Sequence, residues 1–153
     1  MLFKLAAVCS LAAVAFAYPS GAPEGTCATL TPKHQVAAQN SKSSHEIYVS
    51  PNAIRAGSPT SVTLHGSTFR GFLIVARDAS TEQAVQGTWA ALDGSSKALG
   101  CGITHNSKDP KSQVNVQFTP SRSYRGQLVF RAAVVQDIDT YWNNVISEVI
   151  NVS

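Results

Sequence analysis

The stretch QVNVQF, residues 113–118, alternates strictly between apolar and polar side chains. Val114, Val116 and Phe118 would point to one side of an extended chain, and Asn115 and Gln117 to the other. This two-residue period is typical of a strand that is buried on one face and solvated on the other. The six residues therefore predict a β-strand packed against a core.

Similar runs occur on both sides of this stretch. In GFLIVARD, residues 71–78, both faces are apolar as far as Arg77, which indicates a central strand. Glycine, proline, serine and asparagine separate the runs, and no stretch of helix length has a 3.6-residue period. We therefore predict an all-β fold, an antiparallel β-sandwich. The other predicted strands are 46–50, 60–66, 127–136 and 143–152.

An arginine interrupts the apolar run FRAAVVQ, residues 130–136. Phe130, Ala132 and Val134 share one face of a strand, while Arg131 and Val135 share the other. On that second face the aliphatic stem of Arg131 can lie along apolar neighbours while its charge reaches water or a carboxylate. We interpret this run as a core strand of the scaffold and not as part of a binding site.

The residues that follow predict a turn and an aromatic corner. Asp137 and Asp139 favour a turn because aspartate bonds its own backbone. Tyr141 and Trp142 would begin the next strand and close one end of the sandwich. The two aspartates could also hold calcium, but they leave most of its six to eight oxygen ligands unsupplied. No metal site is predicted.

The N-terminus has the features of an export signal. Lys4 supplies a positive start, Leu5–Phe16 form a short apolar segment, and Ala17 is a small residue before the expected cleavage point. A membrane anchor would need about 20 apolar residues. We therefore expect a signal peptide at 1–17, an irregular arm at 18–26, a folded domain at 27–153, and secretion to the extracellular space without a membrane span.

Cysteine usage agrees with export. Cys9 would leave with the signal peptide, so Cys27 and Cys101 remain. Two cysteines in an oxidising compartment most simply form one disulfide. The alternative, a catalytic or redox cysteine, is less favoured because no CxxC motif is present.

The charge of the chain excludes two classes of protein. Loss of Lys4 lowers the net charge from +3 to +2, which leaves eleven basic residues against nine acidic ones. A nucleic-acid-binding protein would show a strongly basic stripe. A peptide that coats anionic membranes would show a basic amphipathic helix. Neither feature is present.

No catalytic motif occurs in the chain. The four histidines are not paired at short spacing, and HExxH, GxSxG and phosphate-loop patterns are missing. We predict that the protein is not an enzyme and needs no cofactor. His105, in THNS, could line a polar pocket or lie in a polar turn, and both interpretations stay open. Asn151 begins a glycosylation sequon, but its position at the end of the chain argues against its use.

Two loops carry the candidate ligand-contact residues. One contributes Lys108 and Lys111, and the other contributes Arg122, Tyr124 and Arg125. The loops flank the strand 113–118, so they lie at its opposite ends unless that strand is bent. If they converge, the cations would suit phosphate on lipopolysaccharide or teichoic acid, and Tyr124 could stack on a sugar. The alternative is ordinary solvated charge.

Several separated motifs, in the same order and spacing, resemble those of the reeler (reelin-type) domain family. The likeness covers roughly Cys27 to Val149 and rests on five pieces: Gly71–Arg77, Cys101, Thr104–Ser107, Gly126–Gln136 and Tyr141-Trp142. It implies an immunoglobulin-like sandwich, a Cys27–Cys101 bridge as in relatives, and a module that binds or positions without catalysis.

The domain organisation implies a role. A signal peptide followed by one reeler domain is similar to the insect defence proteins, which are secreted into the haemolymph. The resemblance implies binding of microbial wall components such as lipopolysaccharide, teichoic acid or glucan, or of the haemocyte surface, with haemocyte responses and antimicrobial activity as further expectations. The alternative is a structural binding module of an extracellular matrix or of adhesion.

Overall fold

The computed structural model describes residues 18–33 and 36–153, so the predicted signal peptide at 1–17 lies outside the described residues. A short 3-10 turn, Glu24–Thr26, precedes the strands. In chain order the strands of the described part are β1 Glu46–Ser50, β2 Ala53–Ile54, β3 Thr60–Phe69, β4 Gly71–Asp78, β5 Gly87–Ala91, β6 Ser96–Ala98, β7 Ile103–His105, β8 Lys111–Pro120, β9 Gly126–Asp137, β10 Thr140–Ile146 and β11 Ile150–Val152.

These strands form two sheets that pack face to face. The first sheet has the order β1-β3-β8-β5, and the second has the order β2-β11-β9-β4-β7-β6, with β10 also paired to β9. Every pairing is antiparallel except that of β2 with β11, which is parallel. The predicted all-β sandwich is confirmed.

The alternation of QVNVQF places its apolar residues in the core between the sheets. Val114, Val116 and Phe118 are fully buried, while Asn115 and Gln117 are half-buried on the other face. Val116 lies opposite Val62 of β3, and Val114 opposite Leu64. The side-chain period therefore also fixes the register, because a slip by one residue would turn every valine away from the core.

Three aromatic rings occupy the centre of this core. The ring centroid of Phe118 lies 4.7 Å from that of Trp89 and 5.5 Å from that of Phe130. Trp89 and Phe130 are themselves 5.6 Å apart. The rings come from β8, β5 and β9, so this cluster joins the two sheets.

Strand β9 has the two faces that its sequence predicts. Phe130, Ala132 and Val134 are fully buried, and Arg131 lies on the opposite face. The guanidinium of Arg131 binds both carboxylate oxygens of Glu82, at 2.7 Å from Nε and 2.6 Å from Nη2. The expectation that its charge reaches a carboxylate is confirmed.

The run predicted as one strand at 143–152 is two strands along the same edge of β9. Ile146 lies opposite Arg131, and Ile150 lies opposite Leu128. Between them Ser147 takes the place of a regular strand pair: its Oγ accepts from the Phe130 N–H at 2.9 Å, and its own N–H donates to the Phe130 carbonyl at 2.9 Å. The extra residue forms a bulge in the strand.

The turn and the aromatic pair after β9 differ partly from expectation. The Asp137 Oδ1 accepts from the Asp139 N–H at 2.9 Å, which confirms the turn. Trp142 packs against the core between the sheets, as expected. Tyr141 is also buried, but it pairs with Val135 on the opposite face of the strand, because neighbouring residues of a strand point to opposite sides.

The N-terminal arm is taken in the structure as residues 18–33, which is longer than the expected 18–26; it is irregular apart from the 3-10 turn and is tied to the second sheet by the Cys27–Cys101 disulfide. The two Cα atoms are 6.2 Å apart, and the predicted bridge is confirmed. Arg77 of β4 adds to this link, because its Nη2 donates to the carbonyls of Cys27 at 2.8 Å and Ala28 at 2.9 Å. No helix of the described residues is long and apolar enough to cross a membrane.

The double substitution Cys27→Ser with Cys101→Ser should lower the free energy of unfolding by about 4 kcal/mol. The bridged residues are 74 positions apart, and opening so long a loop raises the entropy of the unfolded chain. Urea unfolding of both proteins measures the difference. Equal midpoints for the two proteins would show that the bridge does not stabilise the fold.

The substitution Phe118→Ala should cost about 3–5 kcal/mol, because it leaves a cavity between two neighbouring rings. Phe118→Leu keeps most of the buried volume and should cost clearly less. Thermal unfolding of the two variants beside the unsubstituted protein measures both losses. A loss that is equal for leucine and alanine would contradict the packing described for this ring.

Candidate ligand-binding pocket

The second sheet has an apolar outer face that the N-terminal arm covers. Leu73 and Val75 of β4 point away from the main core and pack with Ala133 of β9. Cys27 and Leu30 of the arm lie against them and are almost fully buried. This second apolar cluster follows from the sequence of β4, whose side chains are apolar on both faces and so require cover on both.

The arm does not fill all of the space above this face. A pocket of about 240 Å³ lies between the arm and the sheet, with a largely apolar wall. The sheet contributes Leu73, Ala133 and Val135, and the arm contributes Pro23 and Leu30. The outer face of the run 130–136, which the sequence led us to interpret as scaffold alone, therefore also lines this pocket. Leu73 lies directly opposite Ala133, and a small side chain at that position leaves room between arm and sheet.

The mouth of the pocket carries more positive than negative charge. Lys33, Arg70 and Lys108 line it together with one acidic residue, Asp137. Arg70 Nη1 donates to the backbone carbonyl of Lys108 at 3.2 Å, so these two cationic residues lie side by side. Within the described part of the chain, the ion pair of Arg131 with Glu82 is the only one within 4.0 Å. The three cations at the mouth therefore have no carboxylate bound to them.

His105 forms part of the pocket wall and holds the arm in place. Its Nδ1 accepts from the Phe72 N–H at 3.0 Å, so in the neutral ring the hydrogen is on Nε2. Nε2 lies 3.0 Å from the Tyr18 carbonyl and donates to it. Burial lowers the pKa of His105, although the bonds to Phe72 and Tyr18 act in the opposite direction. Burial therefore favours the neutral ring, whose hydrogen bonds link β4, β7 and the arm.

A neighbouring threonine makes a second link of the same kind. Thr104 Oγ1 donates to the Phe72 carbonyl at 2.6 Å and accepts from the Ala22 N–H at 3.0 Å. Thr104 is fully buried, and its bond to Phe72 is shielded from water, whereas its bond to Ala22 is partly buried. The segment that follows also differs from a simple local turn, because Asn106 Nδ2 donates to the carbonyl of Gly94 at 2.9 Å.

The two loops that were predicted to contact a ligand do not converge. Lys108 and Lys111 lie at the start of β8, while Arg122, Tyr124 and Arg125 follow its end. A strand of ten residues spans roughly 33 Å, so the two groups are on opposite ends of the sandwich. Lys108 alone of the five lines the pocket.

The ammonium group of Lys111 is hydrogen-bonded to backbone carbonyls of the protein itself. Its Nζ donates to the carbonyls of Arg70 at 2.7 Å, Ser107 at 3.2 Å and Asp109 at 2.6 Å. Burial lowers the pKa of Lys111, with the nearby charges of Asp109 and Arg70 acting in opposite directions. An ammonium has three donors, and here all three are used within the protein.

The cluster at the other end is also bound internally. Tyr124 donates its hydroxyl to Asp78 at 3.0 Å and lies 3.0 Å from the Gln127 carbonyl, and its ring packs on the main core. Burial and the bond to Asp78 raise the pKa of Tyr124 to about 12. Arg125 Nη1 donates to the carbonyls of Arg122 and Tyr124, at 2.7 and 2.9 Å. The exposed side chain of Arg122 keeps its charge in water.

Sequence reasoning missed the pocket and two of its cations, Arg70 and Lys33. Arg70 is a single basic residue between two predicted strands, and Lys33 lies in none of the predicted strands. Their proximity depends on how the arm lies across the sheet, which no local pattern encodes. Among the described residues no group of three or more metal-binding side chains comes together.

The substitution His105→Asn should flatten the dependence of stability on pH below neutrality. The pKa of folded His105 lies below the ordinary value of 6.5, so the unfolded chain binds a proton first as the pH falls. The stability that depends on neutral His105 is therefore complete above pH 6.5 and is lost as the pH falls from there through the folded pKa. Urea unfolding at intervals from pH 7.5 to pH 4.5 measures this loss.

Asparagine can still accept from the Phe72 N–H but does not titrate, so the variant should lose less stability over the same interval. His45 is also buried and its pKa is lowered, so a smaller dependence should remain in the variant. His65→Asn, at a half-exposed position on β3, is the matched control. The interpretation fails if the variant and the original protein lose the same free energy between the two pH limits.

Comparison with known proteins finds a matching family model and similar insect proteins. A family model described as the Reeler domain matches residues 25–153. "Putative defense protein 3" of Antheraea mylitta is 32% identical over 161 residues, covering 99% of this chain and 97% of that protein. "Defense protein l(2)34Fc" of Drosophila melanogaster is 32% identical over 161 residues, covering 99% of each. Neither of these names denotes an enzyme.

A solved structure has the same fold. The crystal structure of the human F-spondin reeler domain superimposes with a TM-score of 0.63, covering 78% of this chain and 95% of that one, at 17% identity. The family match, the two insect relatives and the shared sandwich agree with the motif series at Gly71–Arg77, Cys101 and Gly126–Gln136. The chain therefore belongs to the reeler domain family.

Proposed function

We propose that this chain is a secreted defence protein that binds a component of microbial surfaces and performs no catalysis. The observation that carries the proposal is its likeness to an insect defense protein over 99% of both chains. The disulfide supports export, because such bonds persist in oxidising compartments. Lipopolysaccharide, teichoic acid and glucan are the candidate ligands, with the haemocyte surface as the alternative partner and antimicrobial action as a further consequence.

The basic residues at the two ends of the sandwich are the candidate contacts. One end presents Lys33, Arg70 and Lys108 at the mouth of an apolar pocket. The other presents Arg122 and Arg125 beside Tyr124, whose ring packs on the main core. Guanidinium and ammonium groups suit the phosphates of wall polymers. The pocket end joins cationic and apolar surface, so it is the stronger candidate.

Retention of the purified protein on bacterial, fungal and inert particles tests the proposal. We expect retention on at least one microbial class above that on inert particles, and its reduction by soluble wall polymer of the same class. Arg70→Gln with Lys108→Gln should lower retention several-fold, because two exposed cations are removed from the binding surface. Arg122→Gln with Arg125→Gln removes the same charge from the other end and should have little effect.

Equal retention on all particles, unaffected by wall polymers, would refute recognition of microbes and favour a structural or adhesion module. If only the variant at Arg122 and Arg125 loses binding, the contact surface lies at the other end of the sandwich. Each variant is first compared with the original protein by thermal unfolding, so that a loss of binding is not confused with a loss of fold.

A further inference from the structure

The pocket under the arm is bounded by a largely apolar wall. Its volume of about 240 Å³ exceeds the roughly 150 Å³ of an engineered apolar cavity that binds benzene. A ligand with an apolar part would remove this wall from water, and burial of apolar surface is favourable.

The polar groups of the wall favour an inserted segment that has no polar atoms. His105 uses both ring nitrogens, on the Phe72 N–H and the Tyr18 carbonyl. Thr26, the other buried polar side chain of the wall, donates to the Pro23 carbonyl at 2.6 Å. The interior therefore offers no unused hydrogen-bond donor from these two side chains. A sugar ring or a peptide would lose its own hydrogen bonds to water on entry, whereas an alkyl chain would not.

The charges at the mouth favour an anionic group at the end of that chain. Arg70 and Lys108 are exposed and adjacent, and neither forms an ion pair within the described residues. Lys33 adds a third cation, and Asp137 is the one acidic residue that lines the pocket.

We infer that this pocket binds the acyl chain of an anionic lipid. In this arrangement the acyl chain of the lipid lies on Leu73, Ala133 and Val135. The carboxylate or phosphate of the lipid lies at Arg70 and Lys108. This inference rests on the proposed function, since it names the chemical class of the microbial component, but it adds a site and a mode of binding. Wall polymers recognised only through phosphate would not need the apolar pocket.

Titration calorimetry with octanoate, decanoate and dodecanoate, each below its micelle concentration and at low salt, tests the acyl part. Each added methylene should tighten binding about twofold to fourfold until the pocket is full, since burial of a methylene contributes favourably to transfer from water. Decyl maltoside, with the same ten-carbon chain as decanoate and a neutral head, tests the charge. It should bind roughly fivefold more weakly than decanoate, and inorganic phosphate alone should bind more weakly than either.

Three variants separate the contact with the acyl chain from the contact with the anionic head. Val135→Phe should fill the half-buried floor of the pocket and abolish binding of all the amphiphiles. Arg70→Gln with Lys108→Gln should keep the dependence on chain length and remove the preference for decanoate over decyl maltoside. Ala90→Phe, at an exposed position of the other sheet, adds the same ring outside the pocket and should bind as the original protein does.

A second pocket variant keeps the test valid if Val135→Phe fails to fold. Ile138→Asp changes an exposed residue of the pocket mouth, 48% accessible, and adds a negative charge there. It should weaken decanoate more than decyl maltoside. Affinity that does not depend on chain length, or that Val135→Phe and Ile138→Asp leave unchanged, overturns the inference.

Failure of this inference is distinguishable from failure of the proposed function. If Val135→Phe folds and is still retained on microbial particles as strongly as the original protein, microbial recognition stands and the lipid pocket does not. If amphiphiles bind as described but particles are not retained, the lipid site stands and the defence function fails.

Discussion

The pairing of β4 with β9 is the interaction on which the rest of the structure depends. The two strands are in register from Gly71 opposite Val135 to Asp78 opposite Leu128, and both are apolar on both faces for most of this length. Such a pair cannot be exposed to water on either side. The inner face obtains its cover from the first sheet, and the outer face obtains it from the N-terminal arm.

The irregular arm can cover the outer face of the sheet only if it is anchored there. A segment without strand pairing has few backbone hydrogen bonds to hold it in place. Cys27 supplies a covalent anchor, and the buried side chains of Thr104 and His105 supply two partly buried hydrogen bonds to the arm near its start. These anchors lie at the ends of the covered region. The space between them is bounded on one side by Leu73 and Ala133, and it is there that the pocket lies.

Much of the fold could be predicted because its main signals are local. The alternation around Val116 and the apolar run of β4 are visible in a few residues, and Arg131 reaches a carboxylate as its position implied. The strands β6 and β7 have three residues each, which is too short to show a period. The bulge at Ser147 was equally invisible, since it depends on the partner strand. The pocket could not be predicted, because Lys33 and Arg70 line the same pocket only as a result of how the arm lies across the sheet.

Because the anchored arm forms one wall of the pocket, the pocket exists only when the domain is folded. Binding in the pocket and folding of the domain therefore favour each other. A molecule held between the arm and the sheet contacts only the folded state, so it stabilises that state in proportion to the logarithm of its concentration. Reduction of the Cys27–Cys101 bond would remove the covalent hold on one wall and so weaken capture without altering any residue of the sheet. If the pocket binds a lipid as proposed, its affinity would then depend on the redox state of the surroundings.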